Sequence, residues 1–417
     1  MVIQTFLNLN RRFQSLIFQY TRHLVLSADI DPNWIKKRML VIENNIQTIT
    51  LNITLIGSVF SRKYSYPNLH SITLYSYINW QIELTIENES PALTIVSALK
   101  VLDKCSFEGI EQSVLKLLES EYRKCESGVL PCSAIRRVWM LECSVKNLWT
   151  LCDLARGLTY LKVWLRHLIG FHNYASITPL RSTQPIQLIE LNIKVTDSHG
   201  FTNLSLLINH IQGSLKRIAL DLGQNLMIDG KRLEDLLAPC RFLEDISFIS
   251  EFSKEKVNIS NLLRSFQSEW WLNAQCPLVL LHKTDFDRIL AMSIPCSYSN
   301  VLKNVQFSSD FSSWHLNKGT FEYLTNGSIK TKMISLSGKQ PMTLDFLRFV
   351  GRIFYSRKAT LACKRWGLIF EEEFFKQVRY NFIDNSIVLR SLYFIVYKSI
   401  RCGNSLTQYY TIEYLIY

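Results

Sequence analysis

Glycine and proline are scarce in this chain, with 15 Gly and 10 Pro in 417 residues, well under the roughly 7 and 5 per cent of average usage. Gly-rich phosphate loops and Pro-rich linkers therefore have little material to be built from. The sequence contains no GxxxxGK(S/T), no GxGxxG, no GxSxG and no HExxH, so the usual phosphate-cradling, nucleophile-elbow and zinc-protease signals are absent. The 10 cysteines sit singly and no CxxC occurs, which points to reduced, mostly buried thiols. Long apolar runs are missing too. The nearest candidate, Ile387 to Ile400, is interrupted by Arg390 and Lys398 and is shorter than the ~20 apolar residues of a spanning helix. The amino-terminal apolar stretch is broken at Gln4, Asn8 and Asn10 with no small-residue cleavage site after it, so a secretory signal is not expected. The expected location is cytoplasmic or nuclear, with no membrane contact.

What is present is ordinary globular material: 47% hydrophobic and 20% charged residues, which excludes a mostly disordered or collagenous chain. The formal net charge is +12. Its basic groups, Arg11-Arg12, Lys36-Lys37-Arg38, Arg136-Arg137, Arg357-Lys358 and Lys364-Arg365, are short and dispersed. No helix-turn-helix, zinc-finger or RNP-like string accompanies them. Nucleic acid is disfavoured as the main partner, and an acidic protein accounts for the charge equally well. Of the eight histidines, His167 and His172 with Cys152 make the nearest approach to a metal set, and surface or hydrogen-bonded histidines are the better reading. Neither a cofactor nor a catalytic residue is expected.

The organising feature is a repeat. Blocks of the form L-x-x-L-x-L recur at Ile46/Ile49/Leu51, Leu69/Ile72/Leu74, Ile135/Val138/Met140, Leu158/Leu161/Val163, Ile186/Ile189/Leu191, Leu215/Ile218/Leu220, Leu243/Ile246/Phe248 and Leu302/Val305/Phe307, with a weaker one at Leu99/Leu102. Most successive starts fall close to one leucine-rich-repeat length apart, about 20–29 residues, and the steps from Leu158 to Leu243 are the most regular. The step from Leu243 to Leu302 is close to two such lengths. Between blocks the period turns helical. Phe201, Leu204, Leu207, Ile208 and Ile211 form one stripe, with Gly213 at its C-terminal end. Leu233, Leu236, Leu237 and Cys240 form another behind a capping Asp229. Ile259, Leu262, Leu263 and Phe266 form a third, and Val145, Leu148, Cys152 and Ala155, between Ser144 and Gly157, a fourth. Neither the strand face nor the helix face of a unit can be buried alone. The fold class expected is α/β, a leucine-rich-repeat-like solenoid of strand-helix repeats in a curved array, with an irregular α/β domain as the alternative.

The segment FLNLNRRFQSLIFQYTRHLVLS (Phe6 to Ser27), followed by IQTITLNI, YPNLHSITLYS, LKRIALDL and RSFQSEWW, resembles the F-box proteins that carry degenerate leucine-rich-repeat-like arrays. The resemblance covers roughly residues 1–310. It implies a substrate-recognition subunit of a cullin-based (SCF-type) ubiquitin ligase, in which F-box helices dock on a Skp-type adaptor and the repeats hold a protein substrate. An F-box opens with a Leu-Pro pair, and MVIQTF starts too late to contain it. Only its C-terminal part is present: either the true beginning lies upstream or the adaptor contact has been lost. Phe6, Leu9, Phe13, Leu16 and Ile17 are the adaptor-binding candidates, and a helix capping the first repeat is the alternative for them.

The expected domains are 1–27 (partial F-box-like or N-terminal capping helix), 28–310 (the array) and 311–417 (a C-terminal mixed α/β cap, with a helix in EEEFFKQVRYNF). Residues alternating out of the strand blocks are the candidates for a partner-binding concave face: Thr48, Thr50, Ser71, Thr73, Arg137, Trp139, Glu190, Asn192, Arg217 and Ala219. The function expected is that of a non-catalytic protein-binding scaffold. The alternatives are an enzyme without a local motif and a nucleic-acid-binding protein.

Overall fold

The computed structural model describes residues 21–60, 65–76, 80–86, 91–105, 132–165, 187–223, 226, 228–253, 257–273, 276–283, 288–294, 296 and 313–319, together with the strands 306–308, 329–331, 334–338, 354–356, 358–363, 391–398 and 408–415 by backbone and register. The adaptor-binding candidates Phe6, Leu9, Phe13, Leu16 and Ile17 lie outside the described residues, as do His167, His172 and the helix expected over 371–382. The chain divides into two compact units, Met1–Ile193 with Gly213–Leu215, and Lys194–Gln212 with Lys216–Tyr417.

The first unit alternates strands and helices: β1 (His23–Leu26), α1 (Pro32–Ile42), β2 (Thr48–Asn52), α2 (Ile56–Val59), β3 (Ser71–Tyr75), β4 (Trp80–Thr85), α3 (Pro91–Lys104), β5 (Ile135–Met140), α4 (Val145–Leu154) and β6 (Tyr160–Leu165), and β7 (Glu190–Val195) begins there. The second holds α5 (Ser198–Ile211), β8 (Arg217–Leu222), α6 (Gly230–Leu237), β9 (Asp245–Ser253), α7 (Ile259–Ser265), α8 (Glu269–Leu272), β10 (Leu278–Lys283), β11 (Arg288–Ile294), β12 (Gln306–Ser308) and β13 (Trp314–Leu316). It continues with β14 (Ile329–Thr331), β15 (Ile334–Gly338), β16 (Phe354–Ser356), β17 (Lys358–Cys363), β18 (Ser391–Lys398) and β19 (Gln408–Leu415). The fold is α/β, with a 12-stranded, mostly parallel sheet ordered β1 through β9 in chain sequence and then β11, β10 and β13.

Parallel registers carry the repeat. His23 stands opposite Thr48, Thr48 opposite Ser71, Arg137 opposite Tyr160 and Arg217 opposite Asp245. Each pairing advances the chain by a similar step of about 20–29 residues. β4 interrupts the pattern, lying antiparallel to both β3 and β5. It has no L-x-x-L-x-L block, but Trp80, Ile82 and Leu84 alternate and are buried, a half-buried strand by its period of two. The weak block at Leu99/Leu102 is corrected to helix: both residues lie in α3, buried beside Ile95 and Val96 at helical spacing.

Within the described residues the other blocks supply the buried strand face, while Ile186, Leu302 and Val305 lie outside them. Ile49, Leu51, Ile72, Leu74, Val138 and Leu161 are all fully buried, each contributing about 1.5–3 kcal/mol relative to exposure. At β7 the block shifts by two residues: Leu188, Leu191 and Ile193 are buried while Ile189 is 37% exposed. Leu191 belongs to both readings, so the inward parity of the strand survives. Polar caps start the helices. Asp31, Ser144, Asp197, Asp229 and Asn258 each accept a backbone N–H of their own first turn, satisfying donors that a helix start leaves unpaired.

In the second unit the sheet is buried on both faces across β9, β11 and β10. Ile246, Phe248, Ser250 and Phe252 point one way and Ser247 and Ile249 the other, and all are buried, as are Leu280, His282, Leu290 and Met292. Phe248, Phe266 and Trp271 pack as an aromatic trio with ring centroids 5.0 to 5.8 Å apart. Lys318 closes this core by donating to the carbonyls of Trp271, Asn273 and Cys276 at 2.8 to 3.0 Å. The parallel pairing also outlasts the recognisable blocks. β12, β15, β17 and β18 are parallel neighbours, with Gln306 opposite Ser335, Ser335 opposite Thr360 and Lys358 opposite Ser391. β19 adds antiparallel to β18, and β14 pairs in parallel with β16, Ile329 opposite Phe354.

His282 is fully buried with its ring 4.0 Å from that of Trp314. Burial, helped by nearby His315, pushes its pKa down to about 3 from 6.5. The folded state therefore holds it neutral while the unfolded state binds a proton below pH 6.5. Its contribution to stability is complete above pH 6.5 and is lost in acid at about 1.4 kcal/mol per pH unit down to pH 3. His282→Phe is expected to flatten the stability profile between pH 6.5 and 4, measured by urea unfolding. A variant with the wild-type slope would show that other groups set the acid limit.

Candidate functional site

Because alternate residues of a strand face opposite ways, the outward residues of the first unit form registered rows. Val25, Thr50, Thr73, Glu83, Arg137 and Tyr160 make one row through successive pairs. Tyr75, Gln81, Trp139 and Lys162 make a second. His23, Thr48, Ser71 and Thr85 make a third. Every one of them is exposed or half-buried, in contrast to the sealed second face of β9 to β11.

At the β5–β6 end of the first two rows is a two-by-two arrangement. Arg137 stands opposite Tyr160 and Trp139 opposite Lys162, so each cation faces an aromatic ring. The Arg137 guanidinium carbon lies 4.3 Å from the Tyr160 ring centroid, worth about 0.5–1 kcal/mol at an exposed site. Its Nε is 3.7 Å from Glu83 Oε2, with the two side chains 53% and 42% exposed; such a pair contributes little to stability in water. The guanidinium thus sits between the Glu83 carboxylate and the Tyr160 side chain. Tyr160 has its phenol pKa raised, first by burial and then by the Glu190 carboxylate, against the opposing pull of Arg137.

Of the residues chosen from the sequence, Thr48, Thr50, Ser71, Thr73, Arg137, Trp139, Glu190 and Asn192 belong to the first unit and lie on these outward positions, half-buried except for exposed Arg137. Register joins Thr48 to Ser71 and Thr50 to Thr73. Arg217 belongs to the second unit, exposed and opposite Asp245, with Ala219 half-buried opposite Ser247. Sequence reasoning missed Glu83 and Gln81, because β4 was not recognised; the alternation of WQIELT was the available signal. Tyr160 and Lys162 follow directly from the Leu158/Leu161/Val163 block by parity but were not singled out.

At four of the described cysteines the thiolate is disfavoured. Burial pushes Cys105 and Cys152 up to about 12 and Cys240 to about 11, and raises Cys143 as well, so the reactive thiolate is suppressed. Among the described residues no group of three His, Cys, Asp or Glu side chains is placed to hold a metal ion, and no helix is long and apolar enough to cross a membrane. Asn52, Asn203 and Asn258 each begin an N-x-(S/T) sequence; the first two are buried and the third is engaged as a helix cap. Set against family models and curated proteins, the sequence matches none.

Proposed function

We propose that this chain is a non-catalytic protein-binding scaffold, built as a leucine-rich-repeat-like solenoid, that holds a protein partner on the outward sheet face of its first unit. The observation that carries the reading is the chain-ordered parallel stacking of β1 to β3 and of β5 on β6, one repeat length per strand, which leaves one face of the sheet buried and the other half-exposed. Units that each present one strand and one helix stack this way because neither apolar face can be buried alone. Tyr, Trp and Arg, the residue types that dominate protein interfaces, stand together on that face at β5 and β6. Delivery of the partner to a cullin-type ligase through a Skp-type adaptor, in cytoplasm or nucleus, is the extension supported by the resemblance of Phe6 to Ser27 to part of an F-box. The test is co-purification of the full chain with a Skp-type adaptor and crosslinking of bound proteins through a photoreactive residue at position 73. Crosslinks at 73 without adaptor capture would leave the scaffold and remove the ligase role; no crosslinked protein at all would remove both.

A further inference from the structure

The four side chains Arg137, Trp139, Tyr160 and Lys162 define more than a general contact surface. Arg137 and Lys162 sit diagonally on neighbouring strands of one face, where such neighbours lie within roughly 7–8 Å. The two aromatic rings occupy the other diagonal. Arg137 is already oriented by Glu83 through its Nε and by the Tyr160 ring through its face. A guanidinium placed against a carboxylate and a ring loses less rotamer freedom on binding than a free one, and its planar fork of N–H donors suits a carboxylate in two-point geometry.

Resting on the protein-binding reading above, we infer that the Arg137/Trp139/Tyr160/Lys162 quartet is a recognition pocket for an isolated Asp or Glu side chain of an extended protein segment. The carboxylate lies between Arg137 and Lys162, and an adjoining apolar side chain of the partner covers Trp139.

The charges around the quartet decide between an acidic protein segment and a nucleic acid. The row through Arg137 is Glu83, Arg137, Tyr160, and Glu190 acts on Tyr160 from the far side, so a carboxylate stands at each end. A phosphate backbone carries a charge on every nucleotide, so a strand that set one phosphate on Arg137 would bring its neighbours towards Glu83 or Glu190. A single carboxylate flanked by neutral residues meets the two cations and neither anion. Like charges facing each other at an interface penalise the wrong partner, so Glu83 and Glu190 make the quartet selective for sparse negative charge.

The test is panning of a random dodecapeptide phage library against the full chain, followed by binding measurements with the synthetic consensus peptide and its Glu-to-Gln or Asp-to-Asn counterpart. The expected consensus places an acidic residue beside an aliphatic or aromatic one. The acidic peptide should bind at least tenfold more tightly than its amide counterpart, and the Arg137→Gln/Lys162→Gln double variant should lose that preference. Arg137→Lys, which keeps the charge but not the planar fork, should weaken binding and retain the preference. Circular dichroism and urea unfolding of the variants should match the wild type, since the side chains altered are at the surface. A consensus without an acidic residue that still requires Trp139 would overturn this inference while leaving the protein-binding reading intact, as would a double variant that keeps the preference. Binding of a uridine 20-mer that the double variant abolishes would overturn both, and so would a chain that enriches no peptide.

Discussion

Trp271→Ala is expected to cost the second unit about 4 kcal/mol, the range found when a fully buried aromatic is truncated to alanine. Trp271 is completely buried against Phe248 and Phe266, so removal leaves a cavity that three packed elements line. Its Nε1 also donates to the Gly230 carbonyl at 2.8 Å; truncation leaves that carbonyl with a buried desolvation cost of its own. Gly230 is itself closely packed. A Cβ built there would stand 2.3 Å from the Ser265 carbonyl oxygen, so α6 and the end of α7 touch backbone to backbone. The measurement is hydrogen exchange of β9 to β11 amides, with protection falling by roughly three orders of magnitude for a loss of that size. The first unit should keep its protection. A loss under about 1 kcal/mol, against the range for such truncations, would show that the aromatic trio is not the core of this unit.

Gly157→Ala is expected to act on the first unit with comparable force through a different mechanism. A Cβ at Gly157 would lie 1.9 Å from the Ser133 carbonyl oxygen and 2.9 Å from its carbon. These are backbone atoms at the entry to β5, and no side-chain rotation relieves the clash. The turn between α4 and β6 must move away from β5, at the position where Thr159 N donates to Arg136 O at 2.8 Å and sets the β5 to β6 register. Overpacking of a fixed core costs about 1–3 kcal/mol, and displacement of this backbone hydrogen bond adds to it. Because that register also places Arg137 against Tyr160, the variant should lose peptide binding together with stability. Urea unfolding and the peptide titration at a temperature where the variant remains folded report the two effects. Wild-type stability would mean that the turn relaxes freely.

Much of this architecture was legible in the sequence. The blocks at Ile49/Leu51, Ile72/Leu74, Val138/Met140, Leu161/Val163 and Ile218/Leu220 are strands with those residues inward, because a period of two over short apolar runs admits few other solutions. Ser144 and Asp229 cap the helices that follow them, accepting from Asn147 N and Arg232 N. The failures have separate causes. Leu99 and Leu102 match the strand pattern by two residues only, a spacing of three that a helix satisfies as well, and α3 takes it. At β7, Ile189 and Leu188 are equally apolar, so sequence does not say which is inward; the neighbouring strand does, through the bonds from Ile189 N and Glu190 N to Thr159 O. Beyond Phe307 the blocks are lost while parallel pairing continues through β12, β15, β17 and β18, since backbone pairing requires no particular side chain.

The outward face shows the same division. Parity along each strand identified Thr48, Thr50, Ser71, Thr73, Arg137 and Trp139 as outward residues, because alternation is a local property of the backbone. Which of them become neighbours is a matter of register, set by turn geometry and by the close approach at Gly157. Register alone put Tyr160 under Arg137, Lys162 beside Trp139 and Glu83 at the edge of the group. It also separated the first unit, whose outward face is half-exposed, from the second, where Ser247, Ile249, Leu280 and Met292 bury the corresponding positions. By itself the sequence determined that the chain is an α/β protein of alternating strands and helices, with most of its inward blocks close to one repeat length apart, for those patterns follow from local periodicity. Only the tertiary structure decided which outward residues meet, because that depends on distances between segments a full repeat apart in the chain, to which local periodicity is blind.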